Sequence, residues 1–100
     1  MSDGLNQQVQ RGTEAAQVLD NGAFKEALQI MRDDAVKAWR DCPIRDTEGQ
    51  QLLLQHAKLI DKFEGILRGV VESGKFAQRK IDIDDARSES KVQRMLRKVA

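Results

Sequence analysis

One hundred residues allow one domain. With 17 basic against 16 acidic side chains, the net charge of +1 excludes a general affinity for polyanions. Aromatic residues make up 4% of the chain and tyrosine is absent, so any core must rest on Leu, Ile, Val, Met and Ala. The single cysteine, Cys42, excludes an intrachain disulfide and fits a cytosolic setting. The opening residues lack the apolar stretch of a signal peptide, and no run approaches the ~18 apolar residues of a membrane span.

Ser2 or Asp3 can cap a first helix. Leu5, Val9, Gly12, Ala16 and Leu19 then follow in steps of four and three. The stripe is narrow, and its small central residues suit close backbone approach more than a large core. Asp20-Asn21-Gly22 is a break, with Asn21 placed to cap the next helix. That helix runs from about Gly22 to Arg40. Phe24, Leu28, Met31, Ala35 and Trp39 lie on one face, and Lys25, Glu26, Arg32, Asp33, Asp34 and Lys37 on the other.

Asp41-Cys42-Pro43 ends it, because proline restrains the residue before it and cannot continue the helical ladder. Asp46 or Thr47 opens a third helix, and Thr47 with Gln50 fits a capping box. The short connection predicts that helices two and three lie antiparallel. The third helix is expected over residues 47–73, roughly 40 Å if fully helical. Leu53, Ala57, Ile60, Phe63, Leu67 and Val70 form its inner face. Leu52, Leu59 and Ile66 recur every seven residues beside it, which makes the apolar face wider than one helix can cover. Gly65 and Gly69 read as a smooth patch for close approach of another helix. Gly74 suits the left-handed position that closes a helix.

Beyond Gly74, Ile81 and Ile83 alternate with Asp82 and Asp84, which predicts an extended arm over residues 76–85. A final amphipathic helix follows, with Val92, Met95, Leu96 and Val99 on one side and Lys91, Arg94, Arg97 and Lys98 on the other. The expected fold class is therefore all-α. It comprises an antiparallel helical hairpin with an additional N-terminal helix, and a C-terminal amphipathic helix after an extended arm. Residues 1–75 form the helical domain and residues 76–100 the arm and basic helix.

Little in the chain speaks for catalysis. His56, near the inner face, reads as a packed side chain, and a Cys42–His56 dyad has neither an activated thiolate nor an oxyanion site in view. Asp82, Asp84 and Asp85 resemble the start of a calcium loop but lack its glycine and closing glutamate. No Gly-Lys-Ser/Thr phosphate loop occurs. No cofactor and no metal are expected. A helix-turn-helix over Val18–Phe24 would present acidic and basic residues together, a poor groove reader. The basic C-terminal segment fits three readings. It is a solvated helix end, a helix that docks on an acidic-rimmed partner, or a contact for nucleic acid or a membrane surface.

Residues 18–78 resemble a set of small helical proteins encoded by tailed bacteriophages and prophages. The resemblance rests on the Asn21-x-x-Phe24 break, the helix ending near Trp39, the acidic turn before the long helix, and Gly74-Lys75 at its end. It carries no catalytic residues, and the basic C-terminal helix lies outside it. It implies a phage origin and a place among virion assembly or packaging components. The expected function is that of a non-enzymatic, oligomeric phage protein of virion assembly or DNA packaging, scaffold-like or small-terminase-like, with capsid, portal or motor partners. The expected location is the host cytoplasm, the procapsid or the virion. The alternative is a phage-encoded inhibitor that binds a host protein complex. Leu52, Leu59 and Ile66 are the expected self-association residues. Arg94, Met95, Arg97, Lys98 and Val99 are the expected docking residues, and no membrane partner is expected.

Overall fold

The computed structural model describes the backbone of residues 2–99 and the side chains of residues 3–97. Among these residues the chain is all-α, with α1 over Ser2–Asp20, α2 over Gly22–Asp41 and α3 over Thr47–Val99. Only Asn21 separates α1 from α2. Its backbone is extended, and its side-chain Oδ1 accepts from the Phe24 amide at 3.0 Å, so it caps α2. At the other end the Cys42 amide still donates to the Trp39 carbonyl (3.3 Å), and Pro43 prevents further turns. Asp46 is the residue that caps α3: its Oδ1 accepts from the Gly49 amide at 3.0 Å. The expected capping box at Thr47 does not form, because the Gln50 side chain donates to the Cys42 carbonyl instead (3.2 Å).

The largest departure from the sequence reading is the length of α3. Its 53 residues run unbroken through Gly74 and through the residues expected to be an extended arm. None of the described glycines has positive φ, so Gly74 does not terminate a helix. Its missing side chain serves a crossing instead. A Cβ on Gly74 would lie 2.8 Å from Gly12 Cα, and one on Gly12 would lie 2.8 Å from Gly74 Cα. Such proximity is open only to glycine on both helices. Nearby, Ala15 and Ala77 are buried, and Leu5 and Ile81 line one shallow groove. Packing against α1 thus carries the helix past Gly74 and into Ile81–Asp84, where local alternation alone favours a strand. Ile81 is half-buried while Ile83 is 54% exposed, so the two isoleucines do not share a face.

α1 and α2 run back along α3 in sequence. α2 meets its first half, with Leu28, Ala35 and Ile60 in one buried cluster and the Phe24 and Phe63 rings 6.1 Å apart. α1 meets residues 70–85. The inward residues of α3 follow a seven-residue repeat from Leu53 through Ala57, Ile60, Glu64, Leu67 and Val71 to Gly74, all buried or half-buried, and after an extra step of three at Ala77 the seam returns to phase at Ile81. A 3.5-residue period keeps one seam against a partner helix over this length. The seam takes Glu64 rather than the expected Phe63, which is 52% exposed, because Arg32 of α2 lies opposite to pair with it.

The result is a thin, long particle measuring 83 × 26 × 17 Å. Its radius of gyration is 22.9 Å, against about 13 Å for a compact domain of this length. Its accessible surface is 8441 Å², where a compact monomer of 11.3 kDa exposes roughly 5,700 Å². Two layers of helix cannot enclose their own apolar residues.

Candidate functional site: an apolar face and a projecting basic helix

The two long sides of the α2–α3 layer differ in their ion pairs, although each carries an apolar groove; the one on the ion-pair side, about 270 Å³, lies between Val36 and Trp39 of α2 and Leu54 and Ala57 of α3. On one side Arg32 donates to Asp61 (3.4 Å) and to Glu64, and Arg68 donates to Glu64 at 2.6 Å. Glu64 is held below its ordinary value by hydrogen bonding to Arg32 and then Arg68, against the opposing effect of desolvation. The guanidinium of Arg32 is correspondingly held charged.

The sign of the coupling fixes a pH dependence. A carboxylate whose pKa falls on folding adds stability above its unfolded value and loses it as pH drops through the folded one. Thermal melts of the parent and Glu64→Gln should therefore differ at neutral pH and converge in acid, below the ordinary carboxylate range. A gap that persists unchanged in acid would contradict the role given to Glu64.

The opposite side holds no ion pair between α2 and α3 among the described residues. There the helices leave an open groove of about 320 Å³ between Phe24, Ala27 and Met31 of α2 and His56, Leu59 and Phe63 of α3. Leu52 and Ile66 extend the same stripe of α3 at either end, one heptad from Leu59. Leu52 is 59%, Leu59 64% and Ile66 58% exposed. All three residues expected to self-associate therefore lie on one uncovered face. The contribution of α2 to that face, through Ala27 and Met31, is not separable in the sequence from the core stripe of the same helix.

Gly65 and Gly69, read as a patch for close helix approach, face open space: a Cβ at either position would meet nothing within 4 Å. Inside the chain the close approach falls at Gly12 and Gly74 instead. Cys42 and His56 line different grooves, one at the turn beside Trp39 and Ile44, the other between α2 and α3. The Cys42 thiol is pushed up by desolvation and then by Asp46, the reverse of thiolate activation. Residues 82–85 are helical, so the calcium-loop reading has no loop to rest on, and Asp82 instead accepts from Gln78 at 2.9 Å. No described helix is long and apolar enough to cross a membrane.

α1 begins level with residues 80–85, so the rest of α3 projects alone. Val92, Met95 and Leu96 are 55%, 66% and 64% exposed, and Arg94 and Arg97 are exposed as well. Lys98 and Val99, the remaining docking residues expected from sequence, lie outside the residues whose side chains are described. The heptad seam continues through Asp85 and Ser88 to Val92 and Met95 with no helix over it.

Comparison with known proteins adds no relative: no family model matches the chain, and neither the curated proteins nor the solved structures give a match.

Proposed function

We propose that this chain is a non-enzymatic assembly protein of a tailed bacteriophage or prophage, acting in virion assembly or DNA packaging. In this reading the helical hairpin self-associates through the face carrying Leu52, Leu59 and Ile66. The projecting end of α3 docks on a capsid, portal or motor partner through Arg94, Met95, Arg97, Lys98 and Val99. The observation that carries the reading is the uncovered apolar face beside so small a core. The chain exposes roughly 2,700 Å² more than a compact monomer of its mass. A standard interface covers about 800 Å² per partner. The phage assignment itself rests on the resemblance of residues 18–78.

An amphipathic helix with a basic flank suits a groove with an acidic rim. Fractionation of phage-producing cells tests the role. The protein is expected with procapsids or mature particles, and truncation after Ser90 is expected to abolish that association. A small-terminase-like role adds a ring and DNA binding that weakens steeply with salt. Absence from every particle fraction, together with stoichiometric binding to a host complex, would replace this reading with that of a phage inhibitor.

A further inference from the structure

The side of α3 turned away from α1 carries a cationic face that the net charge conceals. At 3.6 residues per turn, Arg79, Arg87, Arg94 and Arg97 lie on the half of the helix opposite Gly74, Ala77 and Ile81. Lys80 and Lys91 lie along one edge of that half. All six are exposed, and none forms an ion pair among the described residues. The carboxylates of the same stretch are sorted to other sides. Asp82, Asp85 and Glu89 lie outside the face, and Asp84 borders it beyond Lys80. From Arg79 to Arg97 the cations span roughly 27 Å of helix. A chain of net charge +1 thus holds a local positive field that its average does not describe.

The extent of this face says what it meets. It begins at Arg79, where α1 still covers the opposite side of α3, whereas the open apolar stripe begins only at Val92. A helix that lies on a bilayer needs an apolar face along the same length as its cations, and here there is none. Phe76 and Ile83 are the large apolar side chains among these cations, too small a patch to seat a helix on lipid. Beyond residue 85 α3 stands alone. A single helix with its side chains, about 10–12 Å across, fits the ~12 Å major groove of DNA. α1 stops such entry at the level of residues 80–85, which leaves Arg79 and Lys80 at the groove edge, where the phosphates lie.

Resting on the packaging reading above, we infer that this face binds duplex DNA through its phosphate backbone, without reading sequence. Of the docking residues named there, Arg94 and Arg97 then meet DNA. Met95, on the other side with Val92 and Leu96, faces outward and stays free for a protein partner. The projecting helix thereby joins the two.

Anisotropy of a labelled mixed-sequence duplex, titrated with the full chain over a range of salt, tests this. The slope of log K against log salt should lie near about −5, as expected for about six neutralised phosphates. Arg79→Gln with Lys80→Gln, which leaves the projecting tip intact, should bring the slope about 2 closer to zero. Met95→Ala with Leu96→Ala should leave affinity and slope unchanged. Absence of binding at low salt, or a slope that ignores Arg79 and Lys80, overturns the inference. So does equal binding to phosphatidylglycerol vesicles or to polyglutamate, which would make the ligand a lipid surface or an acidic protein. A chain that fails to bind duplex yet still joins procapsids through the residues beyond Ser90 overturns this inference and leaves the assembly role standing. A chain that binds duplex yet is absent from every particle fraction keeps the DNA-binding face and removes the assembly role.

Discussion

Gly12→Val will lift α1 from α3 and destabilise the chain by about 2–3 kcal/mol. A β-carbon at this position meets Gly74 Cα at 2.8 Å and the Val70 carbonyl at 3.3 Å, both backbone atoms that cannot rotate aside. The helices must separate, and with them the burial of Ala15 and Ala77 is lost. Valine regains only part of the ~1 kcal/mol that glycine loses in a helix interior, so the sign is fixed by the clash. Gly65→Ala is the control. It meets nothing within 4 Å and should stabilise by about 1 kcal/mol. Chemical denaturation of the two variants should thus move in opposite directions. Limited proteolysis of Gly12→Val should cut first near Asn21, where the only residue between α1 and α2 becomes a free hinge. A Gly12→Val protein as stable as the parent would show that the Gly12–Gly74 crossing does not hold α1 in place.

Ile60→Ala carries the second large effect, a loss of about 2–4 kcal/mol. Ile60 is 4% exposed and among the described residues shares its buried cluster with Leu28 and Ala35, with the partly buried Phe24 packed against them, so little neighbouring packing exists to fill the space. Total stabilities of small domains are about 5–15 kcal/mol, which makes this a substantial share. Leu59→Ala, one residue earlier and 64% exposed, should change monomer stability by less than about 0.5 kcal/mol while weakening self-association. The pair separates the core of α3 from its free face. Equal destabilisation by both, with association untouched, would show that Leu59 serves only the fold.

The sequence makes the breaks of the first half legible and those of the second half misleading. Asn21 and Pro43 act through local chemistry, a side-chain cap and a missing amide, and local chemistry is what a sequence displays. Gly74 displays the same kind of signal with the opposite meaning. Its value lies in letting Gly12 approach, and that partner is 62 positions away in the chain. The four residues Ile81-Asp82-Ile83-Asp84 alternate like a strand, yet the inward seam that begins at Leu53 reaches Ile81 and outweighs them. The seam itself is blurred in the sequence because Glu64 stands where an apolar residue is expected, a position explained only by Arg32 across the gap. Of the candidate face, the α3 half is readable as Leu52, Leu59 and Ile66 spaced by heptads. The α2 half needs the structure, since only the direction of packing shows which flank of that helix stays open.

If the open face of this two-layer chain is covered by another copy of itself, the mass in solution must show it. Sedimentation equilibrium of the full chain over a range of concentrations is the most direct test. The expected result is a mass at a whole multiple of 11.3 kDa that falls to the monomer value in a Leu59→Glu, Ile66→Glu variant that retains its helical content. A parent chain that remains at 11.3 kDa at the highest concentration would contradict it.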